Sequence, residues 1–364
     1  MSEFGVYVHI PFCAHRCDYC AFATYADRDH LMSDYAAAVV TEIERNVAAG
    51  QPLATSVFFG GGTPSRLPAD DLLRILDAIP RTDDAEVTVE CNPEDASLER
   101  LTYYRRHGVT RMSFGIQSTR PAVLADLGRR HGTLAHEEVA RAVTDAGFAT
   151  WNMDLIVGSR AESLEDVATS VSDLLDLPTP PPHLSVYALT AEPGTPLGGD
   201  ASRHPDEDAT ADAYDLVGVL LEGAGYEWEE ISNWARPGHE CRHNHLYWNH
   251  GEYAGVGSAA HSHRDGVRYW NVRTPDRYIA MIAKGESPRG GEEVLDEATK
   301  AFERNSLALR TRVGVPLEAF DSLSEIAHLV DVRDGRVTLA ANGRLVANQV
   351  IVRLRSAGDD DTLR

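Results

Sequence analysis

From Val6 to about Glu192 the chain alternates short runs of β-branched and aromatic residues with longer stretches whose apolar positions recur at helical spacing. The short runs predict strands at Val6–Phe12, Ser56–Gly60, Glu86–Asn92, Arg111–Gln117, Thr150–Gly158 and His183–Thr190. Between them, Ala36, Val39, Val40, Ile43 and Val47 mark one face of a helix, and further helices are expected over Ser97–His107 and Ser163–Leu177. A last one, Asp206–Gly225, puts Ala213, Leu216, Val217 and Leu220 on one side. Strand and helix repeated six times predict parallel strands joined by right-handed crossovers. The expected fold class is α/β, a partial (β/α)6 version of the TIM-like barrel.

Such barrels carry their sites at the carboxyl ends of the strands. The unusual residues of the first half fall there. Three cysteines follow the first strand, Gly60 to Thr63 the second, Glu90 and Asn92 end the third, Gln117 the fourth, Asp154 sits in the fifth and Tyr187 in the sixth. Pro178–Pro182 reads as a loop. Residues 1–225 are therefore expected to form the barrel core, 226–290 a His-rich connecting region, and 291–364 a smaller C-terminal α+β domain. The last begins as helices from about Glu292, followed by a hairpin-like Val337-Thr338-Leu339 with Asn342-Gly343, and ends in a frayed tail at Gly358–Asp361.

With 43% hydrophobic residues among 364, the chain can bury a large core. Lys and Arg total 34 against 56 Asp and Glu, a formal charge of −22 that repels phosphate backbones, so nucleic acid is not an expected partner. No run of eighteen apolar residues predicts a transmembrane segment, and Val6–Phe12 lacks the basic flank and cleavage site of a secretory signal. Three of the five cysteines lie within eight residues, a ligand pattern that points to a reducing, cytoplasmic setting. Cys91 and Cys241 are read as free thiols.

Cys13, Cys17 and Cys20 offer three thiolates on one short loop, and soft sulfur ligands select iron-sulfur clusters or zinc. A zinc knuckle completed by His9 or His15 is the alternative, but zinc sites usually pair cysteines two by two across a long gap. Three cysteines around four irons leave one iron with open positions for a chelating ligand.

Together with Tyr7-Val8-His9-Ile10-Pro11-Phe12-Cys13, the triplet resembles the radical S-adenosylmethionine (SAM) family in its coproporphyrinogen dehydrogenase-like branch, over nearly the whole chain. The resemblance implies a [4Fe-4S] cluster on Cys13, Cys17 and Cys20 and a SAM molecule beside it. Gly60-Gly61-Gly62-Thr63-Pro64 resembles the family's glycine-rich stretch, so Gly61, Gly62 and Thr63 would lie along the methionine amino group. Tyr7, Tyr19, Glu90, Gln117, Arg129, Asp154 and Ala188 fall on positions lining the SAM site. Carboxylates such as Glu90 and Asp154 suit ribose hydroxyls, and Arg129 suits a carboxylate. After Asp154-Leu155-Ile156-Val157-Gly158 the family usually continues Leu-Pro-Gly, where this chain has Ser159-Arg160-Ala161.

Dehydrogenases of this branch carry a further cysteine at the position of Phe22 and a longer segment before the first ligand, whereas twelve residues precede Cys13 here. In both respects the sequence resembles haem chaperones of the HemW type, as does His243-Asn244-His245-Leu246-Tyr247-Trp248. That resemblance implies haem binding through His243, Asn244, Tyr247 and Trp248, transfer to an unidentified acceptor protein, and a reductant such as flavodoxin or ferredoxin, with catalysis secondary or absent. A neutral imidazole suits haem iron and the flanking aromatics suit a flat macrocycle. A buried His-Tyr-Trp seam is the structural alternative, and His239, His245, His250, His261 or His263 can equally supply a ligand. Two other functions remain open within the branch: oxygen-independent coproporphyrinogen III dehydrogenase, acting through a 5′-deoxyadenosyl radical, and a radical SAM methyltransferase.

Overall fold

The structure is a computed structural model that describes residues 3–355; the tail at Gly358–Asp361 lies outside them. All six expected strands form: β1 (Phe4–Ile10), β2 (Ala54–Gly61), β3 (Arg81–Cys91), β4 (Arg111–Gln117), β5 (Thr150–Val157) and β6 (His183–Ala188). They pair parallel and in chain order. Each is buried on both faces, which is why it reads as a nearly continuous apolar run. Val6, Val8 and Ile10, Met112 and Phe114, and Trp151 and Met153 are buried in the main apolar core. The alternate residues Tyr7 and His9, Ser113, Asn152 and Asp154, and His183 and Ser185 form the polar interior.

Helices Met32–Ala48, Leu98–Arg106, Leu164–Leu175 and Glu207–Gly223 occupy the expected stretches, and Ala69–Asp77 and Ala135–Asp145 complete the crossovers. Ser163 and Asp166 form a capping box at the start of Leu164–Leu175, and Asp206 caps Glu207–Gly223. These are the start signals that make the crossovers legible in sequence.

Six more strands enlarge the same sheet: β7 (Glu227–Glu230), β8 (Asn233–Ala235), β9 (Glu252–Val256), β10 (His261–Arg264), β11 (Val267–Asn271) and β12 (Arg289–Val294). β8 adds antiparallel to β6, and β9 adds parallel to β1. Residues 227–294 thus border both edges of the parallel set. Between them runs the helix Arg242–Trp248. Its first backbone N–H groups donate to the Glu86 carboxylate, and a Cβ on Gly5 would meet Leu246 and His243. The helix therefore packs at the amino-terminal ends of β1 to β3, opposite the ends where the site is expected.

The region from Glu292 opens as the edge strand β12 and only then turns helical, at Glu297–Ala308. A small sheet follows, of β13 (Val315–Pro316), β14 (Val330–Arg333) and β15 (Arg336–Leu339) in the order β13-β15-β14. Val337–Leu339 is indeed in a hairpin, but its turn is Asp334-Gly335, not Asn342-Gly343. Asp334 and Gly335 have φ of 49° and 73°, the mirror-image turn whose twist suits a two-residue connection. Asn342 and Gly343 lie in the short helix Ala341–Arg344, where the Asn342 side chain donates to the His328 carbonyl over 2.9 Å.

Candidate functional site at the carboxyl ends of the strands

A cavity of about 440 Å³ opens where β1 to β6 end, and every one of the six strands or the loop after it contributes to the wall. The cysteine loop forms one side. It is held by its own backbone: Tyr25 N–H donates to the Pro11 carbonyl at 2.8 Å, Cys13 N–H to Tyr25 at 3.1 Å, and Cys20 N–H to Cys17 at 3.2 Å. His9, buried beneath it, bonds the Ala23 carbonyl at 3.1 Å. Cys13, Cys17 and Cys20 all face the cavity. Burial pushes the Cys13 thiol up to about 11 and raises Cys20 as well, so holding thiolates there calls for a bound cation.

The glycine stretch is dictated by close approach. Gly61 has φ 111°, and a Cβ on it would sit 2.5 Å from the His9 ring; one on Gly62 would sit 2.8 Å from the Phe12 carbonyl. With no side chains in the way, Gly62 and Thr63 N–H bond the Ile10 and Phe12 carbonyls at 2.8 Å and tie β2 to the cysteine loop. Thr63 Oγ1 in turn donates to Cys13 Sγ at 3.6 Å and accepts from Asn92 at 3.2 Å.

Arg129 spans the cavity. Its guanidinium donates to Cys17 Sγ (3.5 Å), the Asn92 side chain (3.1 Å) and the Gly115 carbonyl (2.6 Å). Glu90 accepts from Gly61 N–H at 3.2 Å, and Asp154 accepts from Asn152 at 2.6 Å. Burial and the Asp154 charge push Glu90 up to about 8; burial raises Asp154 too. Both carboxylates gain from hydroxyl or cationic donors. Gln117 is held at φ 67°, and its Oε1 is buried without a partner, as are Arg129 Nε and His15 Nε2. These orphaned atoms fit a polar ligand with several donors and acceptors.

Of the residues singled out for SAM, Tyr19, Gly61, Gly62, Thr63, Glu90, Gln117, Arg129, Asp154 and Ala188 all line this one cavity. Tyr7 stands beneath, its hydroxyl 3.1 Å from His9 Nδ1. The departure at Ser159 is pinned by a 2.6 Å bond from its hydroxyl to Asp126, a residue also paired with Arg203. Phe22 lines the mouth and is 69% exposed.

The haem motif lies elsewhere. His243 is buried against the start of β2, Nδ1 2.9 Å from Ser56 Oγ, Nε2 2.8 Å from Tyr247 Oη, and its ring stacks on Phe58. Burial pulls it down to about 3. Both ring nitrogens are engaged, so iron ligation would require this ring to leave Ser56 or Tyr247. None of His243, Asn244, Tyr247 and Trp248 lines the cavity.

Sequence reasoning missed the polar column under the site: Arg111 and Ser113 on β4, Asn152 on β5, His183 and Ser185 on β6, and Glu229 on β7. Asn152 Nδ2 reaches Ser113 (2.7 Å) and Ser185 (3.0 Å), and His183 bridges Asn152 Oδ1 (2.7 Å) and Glu229 (3.0 Å). The available signal was parity, since Arg111 and Ser113, Asn152 and Asp154, and His183 and Ser185 each stand two positions apart on β4, β5 and β6.

Residues 7–174 match the model of the Radical SAM superfamily. The chain is 38% identical to the heme chaperone HemW of Mycobacterium tuberculosis, over 96% of this chain and 94% of that one. It is 33% identical to the heme chaperone HemW of Bacillus subtilis (95% and 97%) and 36% identical to that of Escherichia coli (80% and 76%). Among solved structures, the coproporphyrinogen III oxidase HemN of Escherichia coli shares the fold, with a TM-score of 0.84 over 96% of this chain and 89% of that one at 20% identity. Parallel strands in chain order, a cysteine loop after the first of them and full-length similarity converge: the chain belongs to the HemW family of the radical SAM superfamily.

Proposed function

We propose that the chain is a haem chaperone that binds haem and passes it to an acceptor protein, carrying one [4Fe-4S] cluster on Cys13, Cys17 and Cys20 with exchangeable SAM. The observation that carries the cofactor half is the cavity itself. One loop turns three thiols toward a wall of Gly61, Gly62, Glu90, Gln117, Arg129 and Asp154, with unpartnered polar atoms facing it. Three cysteines on one short loop lack the two-by-two pairing across a long gap that zinc sites usually show, which favours the cluster over the zinc knuckle.

When bound, the cluster supplies an electron and an open iron position. The chain's own residues do the rest. Gly61 and Gly62 leave backbone bare for a close approach, and Glu90 and Asp154 accept from hydroxyls. Arg129, already beside Cys17, offers its free Nε–H to a carboxylate. Tyr19 and Ala188 wall the sides.

The haem half rests on the full-length similarity to the HemW relatives. For the motif, we infer that His243 reaches iron only after the helix Arg242–Trp248 gives up the Ser56 contact. A flavodoxin or ferredoxin is the proposed reductant, and the setting the cytoplasm; no described helix is long and apolar enough to cross a membrane.

The test is anaerobic cluster reconstitution followed by separate incubation with haem and with coproporphyrinogen III. Haem binding near one per chain, with no protoporphyrinogen IX by chromatography, is expected. Turnover of coproporphyrinogen III with an electron donor would replace this reading by the dehydrogenase.

A further inference from the structure

A line of side chains runs from the Cys13 sulfur to the Cys17 sulfur, and hydrogen-bond chemistry settles the direction of every bond in it. The starting point is Arg129, whose guanidinium carries N–H groups and no acceptor. The Asn92 atom that Arg129 Nη2 meets at 3.1 Å is therefore the amide oxygen. That leaves the Asn92 amide nitrogen, which only donates, 3.2 Å from Thr63 Oγ1. Thr63 accepts there, so its single hydroxyl proton goes to its other neighbour, Cys13 Sγ, at 3.6 Å. At the far end Arg129 Nη1 donates to Cys17 Sγ at 3.5 Å. No ring tautomer enters, and only one orientation of the amide satisfies both of its partners.

Backbone contacts hold all three side chains in place. Thr63 is buried just after β2, its N–H on the Phe12 carbonyl at 2.8 Å. Asn92 follows β3 directly, and its carbonyl accepts from Asp95 N–H at 3.0 Å. Arg129 gives a further hydrogen to the Gly115 carbonyl at 2.6 Å, which fixes the plane of the guanidinium. Thr63 Oγ1 and Arg129 Nη1 are thus aimed at two of the three sulfurs. The Asn92 side chain bonds to both of these donors and to no sulfur.

Hydrogen bonds to the ligand sulfurs of an iron-sulfur cluster raise its reduction potential, because reduction adds negative charge that the donors stabilise. A threonine hydroxyl by itself can rotate toward any acceptor. Here the Asn92 N–H occupies the oxygen's lone pair and leaves the proton one place to go. We propose that Asn92 is a positioning residue for the cluster: it aims the Thr63 hydroxyl at Cys13, steadies the Arg129 guanidinium at Cys17, and through these two donors raises the reduction potential of a [4Fe-4S] cluster held by the triplet. This rests on Cys13, Cys17 and Cys20 being the cluster ligands and on nothing about SAM or haem.

The test is a redox titration of the reconstituted, SAM-free protein, followed by the paramagnetic resonance of the reduced cluster. Thr63→Val keeps the side-chain shape without the hydroxyl and should lower the reduced-to-oxidised ratio at a fixed potential about tenfold, about 59 mV for one electron. Thr63→Ser restores the hydroxyl and should titrate with wild type. Asn92→Ala should also lower the midpoint, and Thr63→Val should do less in the Asn92→Ala background than in wild type, since the two act on one proton. An unmoved midpoint in Thr63→Val, an equal drop in Thr63→Ser, or additive effects in the double variant would overturn the proposal. A second readout decides the matter if Asn92→Ala does not hold the cluster. In deuterated water the reduced wild-type cluster should show coupling to an exchangeable deuteron that Thr63→Val lacks. Asn92→Asp still accepts from Arg129 but offers Thr63 an acceptor, so it should lose the same coupling; its persistence in Asn92→Asp, or its absence from wild type, overturns the proposal. Wild type that takes up no iron and sulfide overturns the cluster reading and this inference with it, whereas a loaded cluster with coincident midpoints sinks this inference alone.

Discussion

The Arg129 guanidinium lies 3.5 Å from the Cys17 sulfur while its other nitrogen holds Asn92 and the Gly115 carbonyl, so one side chain binds the cysteine loop to the ends of β3 and β4. Loop and strands are far apart in sequence, and this contact joins the proposed cluster side of the cavity to the proposed SAM side.

Replacing Cys17 with Ser should leave a folded chain that cannot retain the cluster. Two thiolates do not fix a four-iron cube, and serine is a harder ligand. The loop's backbone bonds do not involve the Cys17 side chain, so circular dichroism should match wild type. Iron and sulfide analysis checks it; about four irons per chain in the mutant would remove Cys17 from the ligand set.

Asp154→Ala and Arg129→Ala should both weaken SAM binding, each by roughly 1.5 to 3 kcal/mol, the usual worth of a hydrogen bond to a charged group. They should differ in iron content. Asp154 touches Asn152 and no cysteine, so iron stays; Arg129 also contacts Cys17, so its loss should lower cluster retention on dilution. Calorimetry with parallel iron assays separates the two.

Haem binding at the motif should respond to Ser56. Ser56→Ala removes one partner of the buried His243 ring, a bond worth about 1 kcal/mol, and should tighten haem binding by roughly fivefold. His243→Ala should change the Soret band more than His250→Ala does. Identical spectra and affinities in all three variants would assign His243 to the packing seam between the helix and β2.

Glu229 and His245 should give the chain a pH-dependent stability of definite sign. Glu229 is depressed, so its contribution is present above 4.5, the ordinary glutamate value, and is lost only as acid reaches its folded value. His245 is raised, chiefly by the bond to Glu229, so its contribution is full below 6.5 and disappears as pH rises through the higher folded value. His245→Gln should therefore cost about 1 kcal/mol at pH 5.5 and nearly nothing at pH 9. Thermal melts at the two pH values test it; an equal loss at both would assign His245 a packing role only.

The sequence by itself determined the six parallel strands, because strands buried on both faces must be apolar at nearly every position, and Val6, Val8 and Ile10 or Met112 and Phe114 cannot be placed otherwise. It also determined the cysteine triplet and the gathering of Glu90, Gln117 and Asp154 at one mouth, since parallel strands in chain order bring all carboxyl ends to the same side. Tertiary structure alone decided where the second half goes. Strands β7 to β12 are short, and nothing in their local pattern says that β8 will pair with β6 or β9 with β1. The placement of His243 was equally hidden, because a His beside Tyr and Trp reads the same whether it faces solvent, haem or Ser56. The hairpin turn was misread for a related reason. Asn-Gly and Asp-Gly both favour positive φ, and only the register of β14 on β15 selects Asp334-Gly335. The column from Asp154 to Glu229 depends on contacts between β5, β6 and β7, and such side-chain bonds exist only once the strands are laid side by side.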